Sequence, residues 1–500
     1  MSTSSSTKPN IIFIHAESMD GRKMGCMGEP SMQNATPNLD SLAEDGVMFT
    51  NAYTNCPVCN PSRASMWTGK YPQYYDCWNN HEGLHDDVPI FRDTFNSAGY
   101  QTAALGGLDY QWGKHSIRDR VGSWTRAAEI KRPISRTPLP VISDDPSPYG
   151  RDWECTYQGL DFLHEASKSD RPFMMYLTTA LVHPAFVGSR RHMEMIDEDK
   201  IEIPPTLGGM EMTDHPVMEY IRITKNCDKR FSEDLVHQMR HIYFGMIAAL
   251  DEMVGRVLRT VEDLGLSDNT YIIFSSDHGE MAGEQNQILK RTMYEPSVHE
   301  PLLIRGPGVQ QGAAVENPVS LIDIYPTLMD MAGLDYSDFS HHPGYPEAID
   351  GESLMPLLHG DKTDRRDWVF SGYNGDRCCT GAYMLRRGPW KYVKYIGYPP
   401  QLFNLDEDPW EANDVAGEFP DVVTQMDDIL ESNFDPAAID ARAKEYDKKS
   451  FKEWRTQAEA EGIYEKTMSH VYSGFDRQCI EDLMPWTEAD EARLQEWLGE

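Results

Sequence analysis

The chain has 500 residues, 40% of them hydrophobic and 25% charged, which is a folded composition and room for one large α/β domain with an appendage. With 46 basic against 80 acidic residues the net charge is −34, which excludes general nucleic-acid binding because that needs basic faces. The opening MSTSSSTKPN has no apolar core and no long apolar run follows, so the expectation is a cytoplasmic chain without a membrane span, its nine cysteines mostly free thiols.

The apolar run NIIFIHAE, residues 10–17, predicts a buried parallel strand that ends in a carboxylate. TPNLDSLAEDGVMF predicts a helix entered at Thr36-Pro37 and closed near Gly46. DTFNSAGYQTAALGG predicts a helix running into a strand, and PFMMYLTTALVHP a buried strand with His183-Pro184 at its end. Residues 237–266 carry apolar side chains at helical spacing. NTYIIFSSDHGE predicts a strand delivering Asp277 and His278 to its C-terminal end, and VHEPLLIRGPG one strand more. This alternation predicts an α/β fold with a mostly parallel sheet sandwiched by helices. Ligands bind such sheets outside the carboxyl ends of the strands, where Glu17, His183, Asp277 and His278 converge from distant segments.

Beyond residue 375 the pattern changes. GAYMLRRGPWKYVKY and PQLFNLDEDPWE predict antiparallel strands, and an acidic helical tail follows. The expected organisation is a catalytic domain over residues 1–375 and a smaller C-terminal subdomain over 376–500. Trp486 and Trp497 in the polar tail lean toward a contact, a possible homodimer.

CPVCNPSRASMWTG, residues 56–69, has three readings. A redox pair would need a thioredoxin-like βαβ context. A zinc site would need a second ligand pair, and the other close pair, Cys378-Cys379, is adjacent and far away. The third reading uses Cys59 alone, in C-x-P-S-R-x-x-x-x-T-G. This resembles the signature of the formylglycine-dependent sulfatases of the alkaline phosphatase superfamily, in which the cysteine is oxidised after translation. The first strand, the SSDHGE…LK segment and QLFNLDEDPWEANDVA sit where that family carries its metal strand, its Asp-His-Gly-Glu…Lys segment and its closing strand. DGR at 20–22, NAYTN at 51–55, WNN at 78–80 and HPVMEYIRITKNC at 215–227 are similar to the branch acting on 2-O-sulfated glucuronate.

The resemblance implies an alkaline-phosphatase-like fold and hydrolysis of sulfate monoesters, with aryl sulfates as simple substrates and a sulfated sugar such as a 2-O-sulfated uronate as the natural one. Formylglycine at Cys59 would supply an aldehyde hydrate: one hydroxyl attacks sulfur, and the other lets the sulfated intermediate collapse. One divalent cation, calcium first, magnesium or manganese otherwise, would be held by Glu17, Asp277, His278 and the group at Cys59. Arg63 would hold the formylglycine, Lys290 would contact the sulfate, and His183 would protonate the leaving oxygen. His115 and Lys114 are implied as further site cations. Asn80, or Asn79, would contact a sulfuryl oxygen. Arg22, Arg377 and Arg386 are candidate partners for a uronate carboxylate. The implied partners are a small anionic sulfate ester and a formylglycine-generating enzyme, with no nucleic acid and no membrane.

The chain departs from the family pattern in two places. Glu17-Ser18 stands for the usual Asp-Asp, and Gly107 and Asp109 occupy the positions of an expected lysine and histidine, with Lys114 and His115 as replacements. A phosphonate monoester hydrolase or phosphodiesterase on the same scaffold is the alternative, as is a non-catalytic relative.

Overall fold

The computed structural model describes residues 8–107, 117–125, 140–145, 148–207, 215–225, 227, 229–335, 348–471 and 487–500. Seven strands form the central sheet: β1 (Asn10–Ala16), β2 (Val47–Phe49), β3 (Gln101–Leu105), β4 (Phe173–Thr178), β5 (Thr270–Ser276), β6 (Leu302–Arg305) and β7 (Ala313–Val315). Their order is β7-β2-β6-β5-β1-β4-β3. β1 is central and parallel to both neighbours, β4 and β5.

The pleat sends alternate side chains to opposite faces. Ile12 and Ile14 enter a core with α1 (Pro37–Glu44), whereas Ile11 and Phe13 enter a second core with α2 (Cys59–Thr68). Helices α3 (Gly150–Ala166) and α4 (Glu233–Asp263) cover the α1 side. A strand covered on both faces must be apolar throughout, which is why β1 reads as an unbroken run.

One strand differs from a wholly parallel sheet. β6 runs antiparallel to β2 and β5. The residues between β5 and β6 stay at the edge where β5 ended, so β6 starts there and must run back.

A second sheet, of four antiparallel strands, is a meander of β8 (Trp368–Tyr373), β9 (Ala382–Arg387), β10 (Trp390–Tyr395) and β11 (Gln401–Asn404). Its first strand lies before residue 375, so this sheet begins ahead of the boundary that the change of sequence pattern suggested. Helices α5 (Pro420–Asn433), α6 (Pro436–Ala460) and α7 (Glu488–Leu498) follow. Leu494 and Leu498 pack against Phe451, Trp454 and Val121. Trp497 Nε1 donates to the Trp124 carbonyl at 3.1 Å, and its ring is partly buried against this cluster. Trp486 lies outside the described residues. No helix among the described residues is long and apolar enough to cross a membrane.

Candidate active site

β1 and β5 end side by side, and the chain leaving each end carries acid. Glu17 N–H donates to the Leu181 carbonyl at 2.9 Å, and the Glu17 carbonyl accepts from Val182 at 2.6 Å. Those two bonds tie Glu17 to the loop bearing His183. Ser18 has φ of 66°, which turns its N–H onto Asp277 Oδ1 at 3.1 Å. Its hydroxyl has no hydrogen-bond partner, and Ser18 lies beside the site without an oxygen bonded into it.

α2 opens at Cys59, so the positive end of its dipole faces the same place. Ser62 Oγ donates to the Asp277 carbonyl at 2.6 Å, and Arg63 Nε donates to Asp277 Oδ2 at 2.9 Å. Arg63 Nη2 lies 3.3 Å from Glu17 Oε2. Cys59 Sγ is 3.0 Å from His278 Nε2, 3.5 Å from Glu17 Oε1 and 3.5 Å from Asn80 Nδ2. Lys290 Nζ is 2.7 Å from His183 Nε2, which is itself 3.9 Å from Glu17 Oε1. Gly279 fits because its backbone runs against another segment: a Cβ there would meet the Pro296 carbonyl oxygen at 2.0 Å.

The structure thus brings together Glu17, Cys59, Arg63, Asn80, His183, Asp277, His278 and Lys290. Between the two asparagines it is Asn80 that reaches the sulfur, because Asn79 Oδ1 accepts from the His81 N–H at 2.8 Å. Lys114, His115 and Asp109 lie outside the described residues. Gly107 is at the rim: a Cβ there would stand 3.9 Å from Arg63 Nη1.

Two arginines weighed for a uronate carboxylate are engaged elsewhere. Arg22 forks onto Asp20 at 3.0 and 2.7 Å and reaches Glu284 at 3.1 Å. Buried Arg386 donates to Tyr53 Oη at 3.1 Å. Arg377 Nε is 3.8 Å from Asp376 Oδ2, and its Nη1 donates to the Thr224 carbonyl.

Burial sets the protonation states. It pushes the Cys59 thiol up to about 12, opposed by Lys290 and aided by Glu17 and Asp277, so the unmodified sulfur is a poor nucleophile at neutral pH. Burial lowers His278 to about 3; its Nδ1 donates to the Gly279 carbonyl at 2.9 Å, leaving the Nε2 lone pair toward the sulfur. Burial and Lys290 hold His183 well below the ordinary histidine range. Against burial, His278 and Arg63 hold the Asp277 carboxyl well below the usual carboxylate range.

The donor set fits a divalent cation. Ligand atoms of Cys59, Asp277 and His278 all lie within 4.8 Å of one another, as do those of Glu17, Cys59 and His183. In each group one carboxylate and one imidazole meet at Cys59, which suits a cation that prefers oxygen with some nitrogen. Glu280 Oε1 accepts at 2.6 Å from the N–H of Leu289 on one side of Lys290, and on the other side Arg291 Nη2 lies 3.0 Å from Asp376 Oδ2; the sequence reading named none of Glu280, Arg291 and Asp376. The first stands in the quoted Asp-His-Gly-Glu run; the other two carry no local signal.

The sulfatase family profile matches residues 9–334, and a profile described as N-sulphoglucosamine sulphohydrolase, C-terminal, matches residues 283–434. The chain belongs to the sulfatase family and is a sulfuric ester hydrolase. Arylsulfatase K of Danio rerio is 35% identical over 472 residues, which span 90% of this chain and 88% of that protein. Among solved structures, the phosphonate monoester hydrolase of Agrobacterium radiobacter superposes with a TM-score of 0.70 at 24% identity, covering 87% of this chain and 96% of that one. A protein solved with its substrate D-glucosamine-2-N,6-O-disulfate superposes with a TM-score of 0.67 at 22% identity, covering 85% and 97%. These two likenesses show the alkaline-phosphatase-like fold.

Proposed function

We propose that this sulfatase hydrolyses a sulfate ester on a sugar, a 2-O-sulfated uronate, with Cys59 converted to formylglycine and a divalent cation held by Glu17, Asp277, His278 and the group at Cys59. The observation that carries this reading is the convergence on Cys59 Sγ of His278 at 3.0 Å and Glu17 and Asn80 at 3.5 Å, with the Lys290–His183 pair alongside. The sugar comes from the 2-O-sulfated-glucuronate resemblance of the sequence. The arylsulfatase name of the relatives supports an aryl sulfate as laboratory substrate.

Formylglycine at position 59 would supply the nucleophilic hydroxyl of an aldehyde hydrate. A divalent cation, calcium by preference, would stabilise charge on the sulfuryl oxygens. The chain's own residues do the rest. Arg63, fixed by Asp277 and Glu17, holds the group at position 59 in place. Lys290 and Asn80 contact sulfuryl oxygens, offsetting repulsion from a protein of charge −34. His183 Nδ1 donates to the Pro184 carbonyl, and Nε2 accepts from the Lys290 ammonium. The proton for the leaving alkoxide is therefore held by this pair rather than by His183 alone. The reading includes a host formylglycine-generating enzyme as partner and a cytoplasmic location.

The test is a comparison of kcat/KM for a 2-O-sulfated glucuronide, an aryl sulfate and an aryl phosphonate monoester on matured protein. The expected order puts the 2-O-sulfated sugar first. A higher value for the phosphonate would overturn the reading in favour of the phosphonate hydrolase alternative.

A further inference from the structure

Lys290 sits between two residues in a backbone conformation that side chains disfavour. Leu289 has φ of 64° and Arg291 φ of 81°, in the left-handed region that non-glycine residues occupy only when their surroundings hold them there. Each of the two is held by a different buried acid. Glu280 Oε1 accepts from Leu289 N–H at 2.6 Å and from Ala282 N–H at 3.3 Å. Met281 N–H bonds the Leu289 carbonyl at 2.9 Å, closing the base of the loop. On the other side, Asp376 takes the Arg291 guanidinium in a fork, Nε to Oδ1 at 3.3 Å and Nη2 to Oδ2 at 3.0 Å. Tyr373 Oη donates to the same Asp376 Oδ1 at 2.7 Å, and Arg291 N–H bonds the Pro57 carbonyl at 3.2 Å, just ahead of Cys59.

Among the described contacts, neither acid bonds the Cys59 sulfur or the His183 ring. They act on the residues flanking Lys290. We propose that Glu280 and Asp376 are a pair of positioning residues that clamp the strained turn and so aim Lys290 Nζ at the reacting sulfate. The inference rests on the reading that Lys290 contacts sulfate. It also gives the second sheet a part in the site, since Asp376 follows β8. Displacing a reactive group by about 1 Å can cost on the order of 100-fold in rate, so a clamp at this point matters beyond stability.

The experiment measures kcat/KM for an aryl sulfate on matured, full-length Glu280→Ala, Glu280→Gln, Asp376→Asn and Lys290→Ala, with each clamp variant also made in the Lys290→Ala background and folding checked by melting. Glu280→Ala and Asp376→Asn are expected to lose on the order of 10- to 100-fold. Glu280→Gln, which keeps an acceptor oxygen, is expected to recover most of the loss seen in Glu280→Ala. In the Lys290→Ala background both losses are expected to vanish, because the clamp then has nothing to aim. Losses of equal size in that background would overturn the proposal, as would full activity in folded clamp variants when Lys290→Ala itself is impaired. Full activity of Lys290→Ala would instead overturn the reading of Lys290, and the clamp with it. Where Asp376→Asn does not fold, Arg291→Lys breaks the fork while keeping the charge and decides the same question.

Discussion

Two clusters inside this protein each hold two carboxylates and two cations. At the ends of β1 and β5 they are Glu17, Asp277, Arg63 and Lys290. Where the second sheet meets the main domain they are Glu295, Glu411, Lys391 and Arg386. In the second cluster, charges and polar atoms close on one another. Lys391 Nζ lies 3.0 Å from Glu295 Oε1 and 2.8 Å from Glu411 Oε1. Glu295 Oε2 receives His299 Nδ1 at 2.9 Å and Tyr53 Oη at 3.3 Å. Glu411 Oε2 receives the Glu295 N–H at 2.6 Å. In the first cluster Arg63 pairs with Asp277 at 2.9 Å and with Glu17 at 3.3 Å, and Glu17 and His278 both face Cys59 Sγ. The same kinds of charge therefore serve two ends: in the second cluster they tie the second sheet to the main domain, and in the first, on the proposed function, they take an anion and a cation.

The largest effect that would break this contrast is at position 59. Cys59→Ala is expected to abolish turnover of an aryl sulfate, by more than about a thousandfold, with the melting temperature nearly unchanged. Lys391→Met should do the reverse. It strands the buried Glu295 carboxylate beside Glu411 and is expected to cost about 3–5 kcal/mol in denaturant unfolding, while the folded fraction keeps its activity.

A third outcome sharpens the open side. After chelation, calcium at about 100 times its Kd is expected to stabilise the protein by about 2.7 kcal/mol. Asp277→Asn is expected to lose that gain, and Lys391→Met to keep it.

The smallest effect is a pH slope. Burial, aided by Glu295 and opposed by Lys391, pushes the Glu411 carboxyl from 4.5 up to about 7. Between those values the folded state holds a proton that the unfolded state has released, so this group makes stability fall as pH rises through that window. Glu411→Gln is expected to flatten the melting temperature over the same range.

Much of this was legible in residue order, for physical reasons. Buried strands such as β1 must be apolar on both faces, so their positions show. Strand ends show too, because Glu17 follows an apolar run directly and Asp277-His278 follows one across two serines. The direction of β6 does not, since apolar periodicity is the same either way. Asn80 stood ahead of Asn79 by resemblance alone, because one residue of register decides which side chain reaches Cys59. Arg22 and Arg386 read as free cations, because the acids and the tyrosine that engage them come from elsewhere in the chain or share too little pattern with them. Asp376 was invisible for a related reason: the strained turn it holds is made of Leu289 and Arg291, without the glycines that ordinarily announce a left-handed backbone.

The most direct test of the central claim is peptide mass spectrometry across residues 53–70 of active protein from its native host. Conversion of the Cys59 thiol to an aldehyde predicts a loss of about 18 Da. Active protein with an intact cysteine at that position would contradict the account.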